Sequence, residues 1–383
     1  MRRVYFDNNA TTPVHPDVTV AIKPFLDELY GNPSSIHWGG RATRAAIDRA
    51  REQIAEMIQA KPGEIVITGS GTESDNSAIK GVVYGHSGRG NHIITTTVEH
   101  PGVLNTCRYL ETKGFLVTYL PVDACGLIDP GDVKKAIRQG TILISVMYAN
   151  NETGALSPIG EIGKIARESG VLFHSDMVQA MGKIDIDIEA LNVDLASFSG
   201  HKVYAPKGVG ALYMRDGLAI DSLIHGGHQE EGRRAGTENI PGIVAFGCAC
   251  EVTKKEMQDQ NCRIEGLRKR LFDGILKRVD RVLLNGHPIR RLPNTLNLSF
   301  DAVEAESFLI ALDLQEIAVS AGAACSAGAI EPSHVLLAMG IPSHICQSSL
   351  RFSLGRDNTE NDIDYALSVI PEIVNRLRKK ASA

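Results

Sequence analysis

The sequence predicts an α/β protein, with a large domain built on a mainly parallel sheet and a smaller α+β domain behind it. Three observations carry this. Short, continuously apolar runs rich in β-branched residues alternate with helical stretches over the first two-thirds of the chain. Strands of that kind, separated by helices, imply a parallel sheet covered on both faces. Near residue 260 the alternation gives way to a long charged helix and strands of alternating character. The chain, at 383 residues, is also too long for one small core.

Residues 41–58 come first as an amphipathic helix, with Ile47, Ala50, Ile54 and Ile58 along one face. Residues 64–68 follow as a strand, then the turn Gly69-Ser70-Gly71-Thr72-Glu73, then a helix to Lys80. Residues 92–97 and 116–121 read as strands around a helix at 101–113. A strand at 141–147, a helix at 159–168 and a strand at 171–174 extend the pattern. Beyond it, a charged helix is expected at 262–279, strands at 281–284 and 294–300, and helices at 304–314 and 360–379. The domains are expected to span residues 13–260 and 261–383, the first dozen residues returning to the second.

Composition narrows the function. A net charge of -5 and 22% charged residues favour neither nucleic acid nor an acidic membrane. No apolar run approaches the ~20 residues of a membrane span. The start, Met1-Arg2-Arg3-Val4-Tyr5-Phe6-Asp7, lacks a signal peptide's apolar stretch, so a cytoplasmic location is expected. Seven scattered cysteines without zinc-like C-x-x-C pairs point to reduced thiols and to no metal site. Cys248 and Cys250 read as core, and Cys346 is a second, weaker thiol candidate.

Three stretches suggest chemistry. Ser197-Phe198-Ser199-Gly200-His201-Lys202, before a Gly-rich turn, suits a Schiff-base lysine, which burial and cationic neighbours would deprotonate. A surface lysine on a loop is the alternative. Asp176 closes an apolar strand 26 residues earlier, where a pyridinium nitrogen would need a counter-ion, with Gln179 near enough to bond a phenolic oxygen. Helix capping would also place an aspartate there. The turn at Gly71 and Thr72 offers backbone N–H groups to a phosphate, unless Thr72 and Asp75 only form a capping box.

These stretches occur in order with Tyr5-Phe6-Asp7-Asn8-Asn9-Ala10-Thr11-Thr12-Pro13, Tyr30-Gly31-Asn32-Pro33-Ser34-Ser35 and Glu99-His100-Pro101. Asn150-Asn151-Glu152-Thr153-Gly154 and Arg233-Arg234-Ala235-Gly236-Thr237-Glu238-Asn239 complete the set. Over almost its whole length the chain resembles the NifS/IscS-like cysteine desulfurases, class V aminotransferase enzymes of the pyridoxal-phosphate fold type I. The resemblance implies a seven-stranded sheet in the large domain and pyridoxal 5'-phosphate as cofactor. It implies that Lys202 binds the cofactor covalently, that Asp176 pairs with its ring nitrogen, and that His100 stacks on the ring and moves protons. Gly71, Thr72, Ser199 and His201 would hold the phosphate, joined by Thr237 of a second subunit in a homodimer. Asn151 and Arg351 would grip the carboxylate of L-cysteine, Arg351 through a bidentate guanidinium rather than a surface ion pair.

Cys325, in Ser320-Ala321-Gly322-Ala323-Ala324-Cys325-Ser326-Ala327-Gly328-Ala329, would be the nucleophile that accepts the sulfur as a persulfide. A run of small residues suits a mobile loop that ferries a thiol, or equally a packed helix around a buried one. The product would pass to an iron–sulfur scaffold or another sulfur acceptor. The chain departs from the family's usual residues at Met177, Ala205, Ala323 and Ser326, none of which removes a reactive group. A selenocysteine lyase or another class V enzyme is the alternative activity, and a non-catalytic assembly scaffold the alternative class.

Overall fold

A computed structural model describes residues 3–321, 325–326, 329–330 and 332–381; the side chains of 325, 326, 329, 330, 380 and 381 fall outside that description. Among the described residues, seven strands make the large sheet, in the spatial order Ile65–Thr68, Gly210–Met214, Leu195–Ser199, Leu172–Asp176, Thr141–Ser145, His92–Thr96, Leu116–Leu120. The last five run parallel, and Gly210–Met214 is antiparallel to both neighbours. Two of these strands, Leu195–Ser199 and Gly210–Met214, went unmarked in the sequence reading. Neither contains a Val, Ile or Thr, the β-branched residues that marked the runs read as strands.

The strand order reverses between His92–Thr96 and Thr141–Ser145, because the chain steps outward to Leu116–Leu120 and then back across. Loops leaving the carboxyl ends at such a reversal diverge and open a crevice. One face of the sheet is covered by Gly71–Gly85 and Pro101–Glu111, whose Ala78, Val82, Val103 and Cys107 pack on Ile93 and Leu143. The other carries Trp38–Met57 and the start of Ile240–Leu276, with Ile47, Ile54 and Phe246 against Phe173 and Phe198.

The helix expected at 262–279 instead runs from Ile240 to Leu276. Asn239 caps it, its side chain accepting from the Gly242 N–H at 3.2 Å, and Pro241 sits in the first turn. Ile243, Phe246 and Cys250 carry an apolar face into the large core, while Ile264, Leu267, Leu271 and Ile275 carry another into the smaller one. That smaller core lies on an antiparallel sheet ordered Ser320–Ala321, Ser349–Ser353, Thr295–Phe300, Val282–Asn285. Helices Ala305–Asp313 and Glu360–Ala381 cover it. The N-terminal segment lies against this core: Val4 pairs with Ile317, and Val4 and Phe6 are buried in it. Among the described residues no helix is long and apolar enough to cross a membrane.

Candidate active site

The crevice at the strand reversal is a cavity with about 870 Å³ of empty space. Its wall is assembled from strand ends. Asp176 closes Leu172–Asp176, Ser199 closes Leu195–Ser199, and His100 and Asn151 follow His92–Thr96 and Thr141–Ser145. Lys202 enters on the single turn Gly200–Lys202, and Arg351 reaches in from the central strand of the small sheet. Gly71, Thr72, Gln179 and His201 complete the set. Ten residues expected in one site from positions 280 apart therefore share one cavity. Thr237, expected to serve a second subunit, is exposed and does not line it. The side chain of Cys325 lies outside the described residues; its backbone pairs in a short hairpin with Ile330.

Lys202 is not a surface lysine. Its Nζ donates to the carbonyls of Asn9 at 2.5 Å and Ala10 at 2.7 Å. Burial lowers its ammonium to about 8, with the Arg351 charge adding to the effect and Asp7 and Asp176 opposing it. Asp176 accepts from the Val178 N–H at 2.9 Å, so it does make a local turn, yet it also faces the cavity. Burial raises its carboxyl, while His100, that N–H and Lys202 pull it back. His100 caps Pro101–Glu111, its Nδ1 accepting from Gly102 N–H at 3.0 Å, which leaves the neutral ring's proton on Nε2. Burial lowers its pKa, opposed by Asp176 and reinforced by Lys202 and His334.

The helix Gly71–Gly85 is capped by other residues than expected. Ser70 Oγ accepts from the Glu73 N–H at 3.1 Å, and Glu73 Oε2 accepts from Gly69 N–H at 2.9 Å. Thr72 and Asp75 are thereby left for the cavity, which both line. A Cβ on Gly71 would stand 2.7 Å from Val178 Cγ2, so only glycine lets the backbone approach this closely. Ser199 is buried beside it, and His201, lowered to about 4 by burial and then by Lys202, is a neutral donor or acceptor.

Arg351 is buried, ruling out a surface ion pair. Its Nη2 donates to Asp7 Oδ1 and its Nη1 to the Asn151 carbonyl, both at 2.9 Å, while Nε has no partner. Gln179 bonds within the protein: Nε2 donates to the Asn9 carbonyl at 3.0 Å, and Oε1 accepts from Lys183 Nζ at 2.6 Å.

The sequence reading missed three participants. Asn9 receives Lys202, Gln179 and, through Oδ1, Asn294, although it was noted only as part of a motif. Asp7 neutralises Arg351. Asp75 lies with His100 and Asp176 in a cluster whose ligand atoms are within 4.8 Å of one another. Burial and the Asp176 charge push the Asp75 carboxyl well up. Its Oδ1 is 3.7 Å from His174 Nε2, but burial holds His174 down to about 3, so the imidazole in that contact is neutral.

The sequence pattern of the family described as Aminotransferase class-V matches residues 4–366. The chain belongs to that family. Within class V it stands with the NifS/IscS-like cysteine desulfurases. It is 51% identical over 377 residues to "Cysteine desulfurase IscS" of Methanosarcina thermophila, covering 98% of this chain and 93% of that one. It is 52% identical to the protein of the same name from Dictyoglomus turgidum, covering 98% and 96%. A solved NifS-like protein superposes with a TM-score of 0.92 at 40% identity, covering 98% of this chain and all of that one.

Class V enzymes use pyridoxal phosphate, and the cavity fits it on two observations. Gly71 brings a helix start against the wall where a side chain could not pass, a form suited to phosphate. Asp75 Oδ1 and Arg351 Nε are buried without hydrogen-bond partners, as expected of groups awaiting a polar ligand.

Proposed function

We propose that this chain is a cysteine desulfurase, which takes sulfur from L-cysteine, releases L-alanine and holds the sulfur as a persulfide on Cys325. One observation supports Cys325 above all: both ends of its segment are tied to the cavity wall. On one side Ser320 pairs with Arg351. On the other, His334 Nε2 lies 3.0 Å from the carbonyl of Glu99, next to His100, and Ser333 Oγ bonds Glu152, next to Asn151.

Pyridoxal phosphate, when bound, supplies an electron-withdrawing ring that stabilises negative charge at the substrate's Cα. The rest falls to the chain. Lys202, its ammonium lowered to about 8 chiefly by burial, is the amine that holds the cofactor. Asp176 supplies the negative charge that keeps the ring nitrogen protonated, and His100 moves protons at Nε2. The Gly71 backbone, Thr72, Ser199 and His201 hold the phosphate, with Thr237 arriving from a second subunit. Asn151 and the free Nε of Arg351 take the substrate carboxylate. The Cys325 thiolate attacks the substrate sulfur, whose bond to Cβ breaks; a proton then completes alanine.

The homodimer is supported by an apolar patch on residues 20–38, where Val20, Leu26, Tyr30, Ile36 and Trp38 stand exposed. The two-domain division at 260/261 is supported by the two halves of Ile240–Leu276 serving separate cores. Delivery to an iron–sulfur scaffold or another sulfur acceptor, in the cytoplasm, belongs to the same reading and rests on unpaired thiols: Cys107, Cys125, Cys248, Cys250, Cys262 and Cys346 are all free.

Incubating purified holoenzyme with L-cysteine should yield alanine and, by mass spectrometry, a gain of one sulfur atom on the Cys325 peptide. No alanine from L-cysteine would reject the activity, and alanine from selenocysteine alone would identify a lyase for that substrate instead.

A further inference from the structure

A second cavity lies behind Lys202, with about 580 Å³ of empty space between the long helix at residues 252–264 and the N-terminal segment at residues 8–15. Lys202 lines both cavities. Its lining mixes amides and hydroxyls with the cationic or imidazole side chains His15, Lys183, Lys202 and Arg356 and one carboxylate, Glu256.

His15 is 6% exposed, and its Nδ1 accepts from the Asp17 N–H at 3.0 Å. The neutral ring therefore carries its proton on Nε2, which is buried without a partner. Arg356 Nη1 is likewise buried and unpartnered, and its Nη2 and Nε stand 3.9 Å and 3.8 Å from Glu256 and Asp357, too far to be bonded. Lys183 Nζ meets only neutral oxygens, Gln179 Oε1 at 2.6 Å and Asn9 Oδ1 at 3.5 Å. Burial, then the charges of Lys202 and Arg351, push its ammonium well below the usual lysine range. Tyr204 Oη accepts from the Arg356 N–H at 3.0 Å, and Glu256, on the same wall, is the carboxylate that faces the space.

We propose that this rear cavity binds one small monovalent anion, chloride or a short carboxylate, between Lys183, His15 and Arg356. His15 Nε2 and Arg356 Nη1, buried donors without acceptors, call for an acceptor-rich ligand. Val252, Met257, Ile264 and Leu354 line the remainder, which disfavours divalent, strongly hydrated anions. Nothing in the desulfurase reading requires this site. It has a consequence for it nonetheless: an anion at Lys183 sits one wall away from Lys202 and favours the protonated form of its nitrogen.

Bromide is the probe. Holoenzyme crystals grown without halide and soaked in bromide should show an anomalous peak among these three side chains. The peak should vanish in both Lys183→Met and His15→Leu and be displaced by formate. In solution, at constant ionic strength, bromide should shift upward the pH midpoint of the cofactor's visible band in the wild type but not in His15→Leu. Water alone in the cavity, a peak that survives both substitutions, or an adventitious ion only, bound elsewhere, would overturn the proposal.

Discussion

An amine that must attack an aldehyde is useless while protonated, and Lys202 shows how a fold removes the proton. Its nitrogen is withdrawn from water and repelled by Arg351, against the attraction of Asp7 and Asp176, which brings the pKa to about 8. Because that value is lowered, the reactive neutral form grows as pH rises and saturates above it. Holoenzyme formation from apoenzyme and pyridoxal phosphate, followed by visible absorbance, should therefore rise with pH and level off just above 8. A rate still climbing near pH ~10, where an ordinary lysine titrates, would contradict this. Cys346 is the counter-example among thiols: buried, with Sγ 3.3 Å from the Ile341 carbonyl, it is raised by burial, away from the thiolate form a nucleophile needs. Lys202, Asp176, His100 and Arg351 were legible because each sits in a local motif. Asn9, Asp7 and Lys183 were not, since their meaning comes largely from partners 170 to 344 residues away.

At the scale of elements, the loop that carries Thr237 is set by a buried ion pair. Arg51, on helix Trp38–Met57, meets Glu230 with two hydrogen bonds of 2.7 Å, and Glu230 Oε2 also accepts from the Ile67 N–H. Glu230 and Glu231 adopt left-handed backbone angles, φ 48° and 58°, which non-glycine residues keep only under such restraint. Arg51→Met alone should cost about 3 kcal/mol or more of unfolding free energy in urea, because it strands a buried charge. Arg51→Met with Glu230→Leu should recover much of the loss. A single variant as stable as wild type would show that the pair anchors nothing. None of this was readable in sequence: a helix arginine and a loop glutamate 179 positions apart carry no local signature. The helix Ile240–Leu276 was half-read for a related reason. Its first eleven residues, Ile240–Cys250, carry no charged side chain and so lack the charged stripe by which residues 262–279 were recognised.

For the whole molecule, the parallel order of the sheet was legible, and with it the side on which the cavity opens, because the strand ends carry the motifs. The surface that would meet the proposed second subunit was not, since an interface leaves no periodic mark. Ile36 is 91% exposed and Trp38 71%, beside Tyr30 and Leu26. Ile36→Asp with Trp38→Glu should convert a dimer to monomer by light scattering and lower cofactor retention, since Thr237 would lose the site it serves. A dimer that persists with both charges in place would put the interface elsewhere.

The central claim concerns a thiol brought to the cavity from a segment anchored on Arg351 and His334. Alanine release from L-cysteine, measured side by side for wild type and Cys325→Ala, tests it most directly. The variant should keep its bound cofactor and its visible colour, yet lose activity by about 10³-fold or more, the order expected when a nucleophile is removed. Equal rates of alanine release would contradict the account, because sulfur would then be leaving the substrate without Cys325.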